Sequence, residues 1–110
     1  MRRGEIWTAA GGGGYAGKPR PVVIVQDDRF DATDSVTVCA FTTDPTEAPL
    51  IRLPVTPDEE NGLRELCSMM VDKITTMPRA GVRKRVGRLS DQDMARLGRA
   101  AVVFLGLAGN

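Results

Sequence analysis

The chain has 110 residues, of which 42% are hydrophobic and 26% are charged, with a formal net charge of +1, two cysteines and no histidine. This composition is typical of one compact globular domain spanning residues 1–110, and it excludes a chain that is disordered throughout. The missing histidine excludes an imidazole acid–base pair, and no apolar run is long enough to cross a membrane.

The first predicted elements are two strands on either side of a glycine-rich loop. Alternating polar and apolar residues predict a short strand at 5–9, and a Val-Val-Ile-Val run predicts a strand at 21–26 that is buried on both faces. Four consecutive glycines at 11–14 predict a flexible connection between them. Lys18 and Arg20 are therefore expected at the mouth of a buried strand.

The middle of the chain continues in short strands. Residues 35–42 alternate in polarity and predict a third strand. Pro54 interrupts a fourth strand at 50–55 and favours an edge position, because proline cannot donate a backbone hydrogen bond. Residues 63–76 are interpreted as one or two strands, although a helix over residues 59–70 stays open as an alternative.

The end of the chain predicts a basic strand at 82–89 followed by the clearest helix. Ser90 is a favourable N-cap, and an apolar stripe at helical spacing follows it. Gly106 or Gly109 can end this helix. Five to seven short strands and one closing helix predict a β-rich α+β domain, built as a small barrel or half-barrel.

Cysteine and charge patterns add two expectations. Cys39 and Cys67 lie in strand-like sequence without a CxxC motif, so both are interpreted as buried thiols, with a disulfide between paired strands as the alternative.

Residues 79–99 carry seven basic and two acidic residues, whereas residues 27–65 carry three basic and ten acidic ones. This segregation can build a basic face, or it can form an ordinary mixed surface.

Two stretches of the sequence resemble the MazF/PemK family of toxin ribonucleases. They are Arg-Arg-Gly-Glu-Ile-Trp at residues 2–7 and Lys-Pro-Arg-Pro-Val-Val-Ile-Val at residues 18–25. Weaker matches at 70–74 and 86–90 extend the resemblance along nearly the whole chain. The resemblance implies a small SH3-like β-barrel of the CcdB/PemK type with a C-terminal helix.

The same resemblance implies two catalytic residues. Arg20 occupies the arginine of the family's Arg-Pro-Val motif, and Thr42 occupies the threonine that closes the third strand. Considered alone, Arg20 could instead pair with a nearby acid such as Asp27 or Asp28, and Thr42 could be a turn residue.

The implied reaction is attack of a ribose 2′-hydroxyl on its own 3′-phosphate, which leaves a 2′,3′-cyclic phosphate and a 5′-hydroxyl. Arg20 would stabilise charge on the phosphorus centre, and Thr42 would hydrogen-bond a nonbridging oxygen. The proton acceptor stays open between a phosphate oxygen and Arg20 itself. No metal ion or cofactor is expected.

Further RNA contacts are expected from Tyr15, Lys18, Thr43 and Lys73. Tyr15 could stack on a base, and the two lysines could contact phosphates. Trp7 is expected in the core rather than on RNA. The basic segment 79–88 could contact RNA or an acidic antitoxin, or it could be an exposed strand without a partner.

The resemblance implies a toxin of a type II toxin–antitoxin system that works in the cytoplasm as a homodimer. Its substrate would be single-stranded RNA, as mRNA or as tRNA or rRNA, and its partner would be an antitoxin with a disordered C-terminal segment. Two other functions stay open on the same fold. One is a non-enzymatic gyrase poison of the CcdB type, and the other is an inactive SH3-like binding module.

Overall fold

The computed structural model describes residues 1–10 and 18–109, and within these ranges it contains seven strands and one α-helix. The strands are β1 (Glu5–Ala9), β2 (Arg20–Ile24), β3 (Ser35–Thr42), β4 (Arg52–Val55), β5 (Cys67–Met70), β6 (Thr75–Pro78) and β7 (Val82–Arg88), and the helix is α1 (Asp91–Phe104). The predicted β-rich α+β class is confirmed. Residues 59–70, left open as a helix, form a turn and strand β5 instead.

The strands form one antiparallel sheet in the order β4-β5-β3-β2-β1-β7, with β6 beside β3. Strand β3 is the centre of the sheet because it pairs with β2, with β6 near its start and with β5 near its end. Strand β4 lies at one edge, as Pro54 predicts. The start of β2 and the end of β3 therefore lie side by side at one end of the sheet.

The predicted barrel is incomplete, because β4 and β7 do not pair with each other in the described ranges. The turn at residues 58–62 fills this gap and presses its backbone against β7. The Arg88 N–H donates to the Glu60 carbonyl at 2.9 Å. A Cβ on Gly62 would lie 2.3 Å from the Val86 carbonyl oxygen, and one on Gly87 would lie 2.4 Å from that of Asn61. Only glycine allows so close an approach at both positions.

Apolar side chains fill both faces of the sheet. One cluster combines Ile6, Val23 and Phe41 with residues of α1, and the other combines residues of β1, β2 and β3 around Val22. Trp7 is half-buried and packs against the second cluster. Both cysteines are buried and free, which confirms the thiol interpretation over the disulfide. The core thus fixes the strands whose ends carry the predicted site.

Helix α1 begins where its cap is predicted, since the Ser90 hydroxyl accepts a hydrogen bond from the Asp93 N–H at 3.1 Å. Gly106, with a φ of 75°, ends it in the left-handed region that favours glycine. The helix buries Met94 and Leu97 in the core and packs beside the 3₁₀ helix Val71–Lys73. In the part of the chain that the structure describes, no helix is long and apolar enough to cross a membrane.

Candidate active site

A cleft of about 620 Å³ opens at the end of the sheet where β2 starts and β3 finishes. Strands β1 and β7 form its far side, and residues 62–67 run across it from β7 to β5. Its lining residues are Thr8, Lys18, Pro19, Arg20, Pro21, Phe41, Thr42, Thr43, Gly62, Leu63, Arg64, Glu65, Cys67, Lys84, Arg85 and Val86.

Strand register brings the two predicted catalytic residues together. Strands β2 and β3 pair with Val22 opposite Ala40. The paired residues end there, so Arg20 and Thr42 each lie two residues past the last pair, at the same end of β2 and β3. Because Arg20 begins β2 and Thr42 ends β3, both side chains lie where the sheet opens to solvent.

The Thr42 hydroxyl is oriented by the turn that follows it. The Asp44 N–H donates to Thr42 Oγ1 at 3.1 Å. A hydroxyl that accepts one hydrogen bond keeps its own proton to donate. Asp44 is in turn fixed by hydrogen bonds from the Thr46 hydroxyl and N–H, which lower the pKa of its carboxyl. Thr42 can therefore donate to an oxygen atom in the cleft.

The cleft is strongly basic although the net charge of the chain is only +1. Among the residues that line it, Lys18, Arg20, Arg64, Lys84 and Arg85 are basic, and Glu65 is the one acid. An excess of cations in a concave site favours a polyanionic ligand.

Strand β1 contacts Lys84 and Arg85, the two basic residues of β7 that line the cleft. The Lys84 N–H donates to Thr8 Oγ1 at 3.2 Å, and Arg85 Nε lies 3.3 Å from Glu5 Oε2. Partial burial by itself would raise the pKa of Glu5. Hydrogen bonds from the Arg2 N–H and the Trp7 indole, together with nearby positive charges, outweigh burial, so the pKa of Glu5 is lowered. Glu5 therefore stays ionised and anchors Arg85 beside the cleft.

The segment that crosses the cleft is anchored by Asn61, a polar residue that is only 2% exposed. Its Oδ1 accepts from the N–H groups of Asp58 and Leu63 at 3.1 and 2.9 Å, and its Nδ2 donates to the Thr56 carbonyl at 3.0 Å. These bonds satisfy the buried amide and fix the turn that Gly62 holds against β7. Residues 63–65 thus leave a rigid turn to form one wall of the cleft.

The chemistry of the lining residues excludes a thiol nucleophile. Burial, followed by the nearby charge of Glu65, raises the pKa of the Cys67 thiol to about 11, so it is neutral at pH 7. Within residues 1–10 and 18–109, no cluster of three or more histidine, cysteine or carboxylate side chains could hold a metal ion.

The structure brings four of the six predicted site residues to this cleft. Arg20, Thr42, Lys18 and Thr43 all line it. Lys73 does not; it lies in the 3₁₀ helix Val71–Lys73, which packs beside α1. Tyr15 lies outside the described residues.

The basic side chains of segment 79–88 lie in three different environments. Lys84 and Arg85 line the cleft. Arg79 donates to the Thr33 carbonyl, and Arg88 lies 3.1 Å from a carboxylate oxygen of Asp91. Arg83 is exposed on β7 outside the cleft lining. Only part of the segment is therefore placed to meet a ligand in the cleft.

Sequence reasoning missed the wall formed by Leu63, Arg64 and Glu65. The Asn-Gly pair at residues 61–62 predicts a turn, but it does not show which strand the turn packs against. Thr8 and Phe41 were also missed as lining residues.

Comparison with known proteins agrees with this arrangement. Residues 2–105 match the family model described as the PemK-like, MazF-like toxin of type II toxin–antitoxin systems. A probable endoribonuclease MazF of Mycolicibacterium smegmatis is 59% identical over 109 residues, which cover 99% of this chain and 100% of that protein. A probable endoribonuclease MazF2 of Mycobacterium tuberculosis is 38% identical over 91 residues, covering 82% of this chain and 83% of that protein.

The fold is also similar to that of a solved mycobacterial endoribonuclease in complex with its cognate antitoxin. The TM-score is 0.79 at 20% identity, over 100% of this chain and 99% of that one. The family match and the identity to the relatives settle the assignment: the chain belongs to the PemK/MazF family of type II toxin–antitoxin toxins.

Proposed function

We propose that this chain is a toxin endoribonuclease that cleaves single-stranded RNA in the cleft at the ends of β2 and β3. The observation that carries the proposal is that Arg20, at the start of β2, and Thr42, at the end of β3, line one basic cleft. The relative that is 59% identical is named a probable endoribonuclease, which supports the same activity here.

Arg20 and Thr42 can stabilise the negative charge that develops on the phosphate during the reaction. When the 2′-hydroxyl attacks the adjacent phosphorus, negative charge grows on the nonbridging oxygens. The Arg20 guanidinium presents a planar pair of N–H donors that fits two such oxygens, and the Thr42 hydroxyl can donate to one of them. Neither role requires a metal ion or cofactor. The products are a 2′,3′-cyclic phosphate and a 5′-hydroxyl end.

Other basic side chains of the cleft would bind the RNA backbone. Lys18 lies beside Arg20, and Lys84 and Arg85 lie across from it on β7. Phosphate contacts of this kind position the chain without reading its sequence. Thr43, next to the catalytic threonine, stays a predicted RNA contact, and so do Tyr15 and Lys73.

We infer a homodimer and an antitoxin partner for this chain. The end of α1 and the residues that follow it expose large apolar side chains that a partner surface would cover: Val102, Val103, Phe104, Leu105 and Leu107. We expect a second copy to pack at this end, and an antitoxin with a disordered C-terminal segment to block the basic cleft. Because its RNA substrate is in the cytoplasm, we expect the toxin to act there.

The test is incubation of the purified protein with a long single-stranded RNA in excess EDTA, followed by mapping of the product ends. Arg20→Ala should stay folded and stop cutting. Arg83→Ala is the matched control, because Arg83 is exposed outside the cleft lining, and it should cut like wild type. Replacing the 2′-hydroxyl by hydrogen at the scissile nucleotide should block the reaction.

Two outcomes would count against the proposal. Full activity of Arg20→Ala would overturn the site assignment. If well-folded wild-type protein cuts no RNA, the gyrase-poison and binding-module alternatives return, and a gyrase binding assay is the next step.

A further inference from the structure

We propose that Glu65 is the general base of the cleft and takes the proton from the attacking ribose 2′-hydroxyl. The inference rests on the proposed ribonuclease function and adds the proton acceptor that Arg20 and Thr42 leave unassigned. Glu65 is exposed, and within residues 1–10 and 18–109 it is the one carboxylate that lines the cleft.

The first support is chemical elimination. At neutral pH lysine and arginine are protonated, a threonine hydroxyl is not a base, and the pKa of the Cys67 thiol is raised to about 11. The chain has no histidine. Residues 11–17, between β1 and β2, are glycine, tyrosine and alanine only, so their sequence contains no carboxylate. Among the lining residues that the structure describes, the Glu65 carboxylate is the one strong proton acceptor.

The second support is position. Residues 62–67 cross the cleft from Gly62, held against Val86 of β7, to Cys67 at the start of β5. Glu65 lies within this crossing segment and close enough to the buried Cys67 thiol for its charge to act on it. Cys67 is in turn two residues before Met69, which pairs with Phe41 beside Thr42. The carboxylate therefore shares one cleft with both residues that would hold the phosphate.

The third support is the rigidity of the turn that leads into this wall. The buried Asn61 amide fixes residues 56–63 through hydrogen bonds to three backbone groups. A general base must keep its oxygen within hydrogen-bond reach of the proton that it removes. A wall that begins at a fixed turn can hold a carboxylate in such a position, whereas a freely moving loop cannot.

The proposed step balances without another reagent. The 2′-O–H bond breaks and its proton passes to a Glu65 carboxylate oxygen, while the oxygen lone pair forms the 2′-O–P bond. The P–O5′ bond then breaks, and its electron pair stays on the 5′-oxygen, which takes a proton from water. Glu65 finally returns its proton to solvent, to which its side chain is exposed.

The experiment measures single-turnover cleavage of an RNA oligonucleotide against pH for wild type, Glu65→Gln, Glu65→Asp and Glu59→Gln. Glu59 is the matched control, since it is an exposed carboxylate nearby that does not line the cleft. Binding is measured by fluorescence anisotropy on an oligonucleotide with a 2′-deoxy scissile nucleotide. The other charged or titratable groups that line the same cleft are the cations Lys18, Arg20, Arg64, Lys84 and Arg85 and the neutral Cys67 thiol.

Wild type should gain rate with rising pH as its general base loses a proton, and then level off. Glu65→Gln should cut at least about 100-fold more slowly at neutral pH and lose this acid limb, since general-base catalysis contributes about 10²–10⁴-fold. Its RNA binding should not weaken, because a negative charge has been removed. Glu65→Asp should keep the acid limb at an intermediate rate, and Glu59→Gln should behave like wild type.

Two results would overturn the proposal while leaving the ribonuclease function intact. One is Glu65→Gln cutting at the wild-type rate. The other is a slow Glu65→Gln variant whose acid limb is unchanged, which would make Glu65 an electrostatic or structural residue. If wild type and Glu59→Gln both fail to cut, the ribonuclease proposal itself falls, so the two failures are distinct.

Discussion

Replacement of Gly87 by alanine tests the contact between the turn at 58–62 and β7. The added Cβ would lie 2.4 Å from the Asn61 carbonyl oxygen and 2.5 Å from that of Glu60. Real Cβ atoms do not approach backbone this closely, and both contacts are to main chain that cannot rotate away. The turn must therefore move off the strand.

The cost of that movement can be worked out from the contacts that it breaks. Separation lengthens the hydrogen bond from the Arg88 N–H to the Glu60 carbonyl, now 2.9 Å, which is worth about 1 kcal/mol. Overpacking of a close contact adds about 1–3 kcal/mol. Gly87→Ala should therefore lower the free energy of unfolding by about 2–4 kcal/mol, with a fall in Tm of about 10 °C or more.

The measurement is urea unfolding followed by circular dichroism, with Gly98→Ala as the matched control. Gly98 lies within α1, and a Cβ there would meet nothing nearer than the Arg3 Nη2 atom at 3.9 Å. Because alanine is the better helix former, Gly98→Ala should stabilise the protein by about 0.5–1 kcal/mol. Replacing glycine by alanine should therefore destabilise the protein at position 87 and stabilise it at position 98. A Gly87→Ala protein as stable as wild type would refute the tight contact between the turn and β7.

Four further outcomes are expected. Hydrogen bonds from Arg52 lower the pKa of Asp72, so the stability from this pair is present above the ordinary aspartate range and lost as pH falls through the folded-state pKa. Urea unfolding at pH 6 and pH 3 should therefore show a smaller acid loss for Asp72→Asn than for wild type. Ser90→Ala should cost about 1 kcal/mol in the same assay by removing the helix cap. Lys84→Gln should weaken RNA binding and reduce its dependence on salt concentration, as measured by anisotropy at several salt concentrations. Phe104→Ser should shift a dimer toward monomer in light scattering, and an unchanged mass would place the interface elsewhere.

Local sequence signals predicted the elements of this fold well. Alternating polar and apolar residues predicted the limits of β1 and β3, which the structure places at Glu5–Ala9 and Ser35–Thr42. The Ser90 cap is a side-chain hydrogen bond within one turn, so the sequence nearby contains everything that determines it. Arg20 and Thr42 were found for another reason, which is that a family motif marks them.

What the sequence did not predict depends on contacts between distant segments. The wall at residues 63–65 has no periodic pattern, and its place follows from Gly62 meeting Val86 more than 20 residues later. Lys73 is a predicted RNA contact because it is basic and falls in a family-like stretch. It lies outside the cleft lining, in the short 3₁₀ helix between β5 and β6 that packs beside α1. Charge alone therefore could not separate Lys84, in the cleft, from Lys73, outside it.

The turn at 58–62 serves the fold and the site at once. It fills the gap between β4 and β7, and its continuation forms the wall that carries the proposed base Glu65. A substitution that loosens the turn should therefore lower the rate of RNA cleavage even under conditions where nearly all of the protein is folded. A helix-cap substitution such as Ser90→Ala lies outside the cleft lining and should leave that rate unchanged. Comparing the two at equal folded fraction separates loss of stability from loss of active-site geometry.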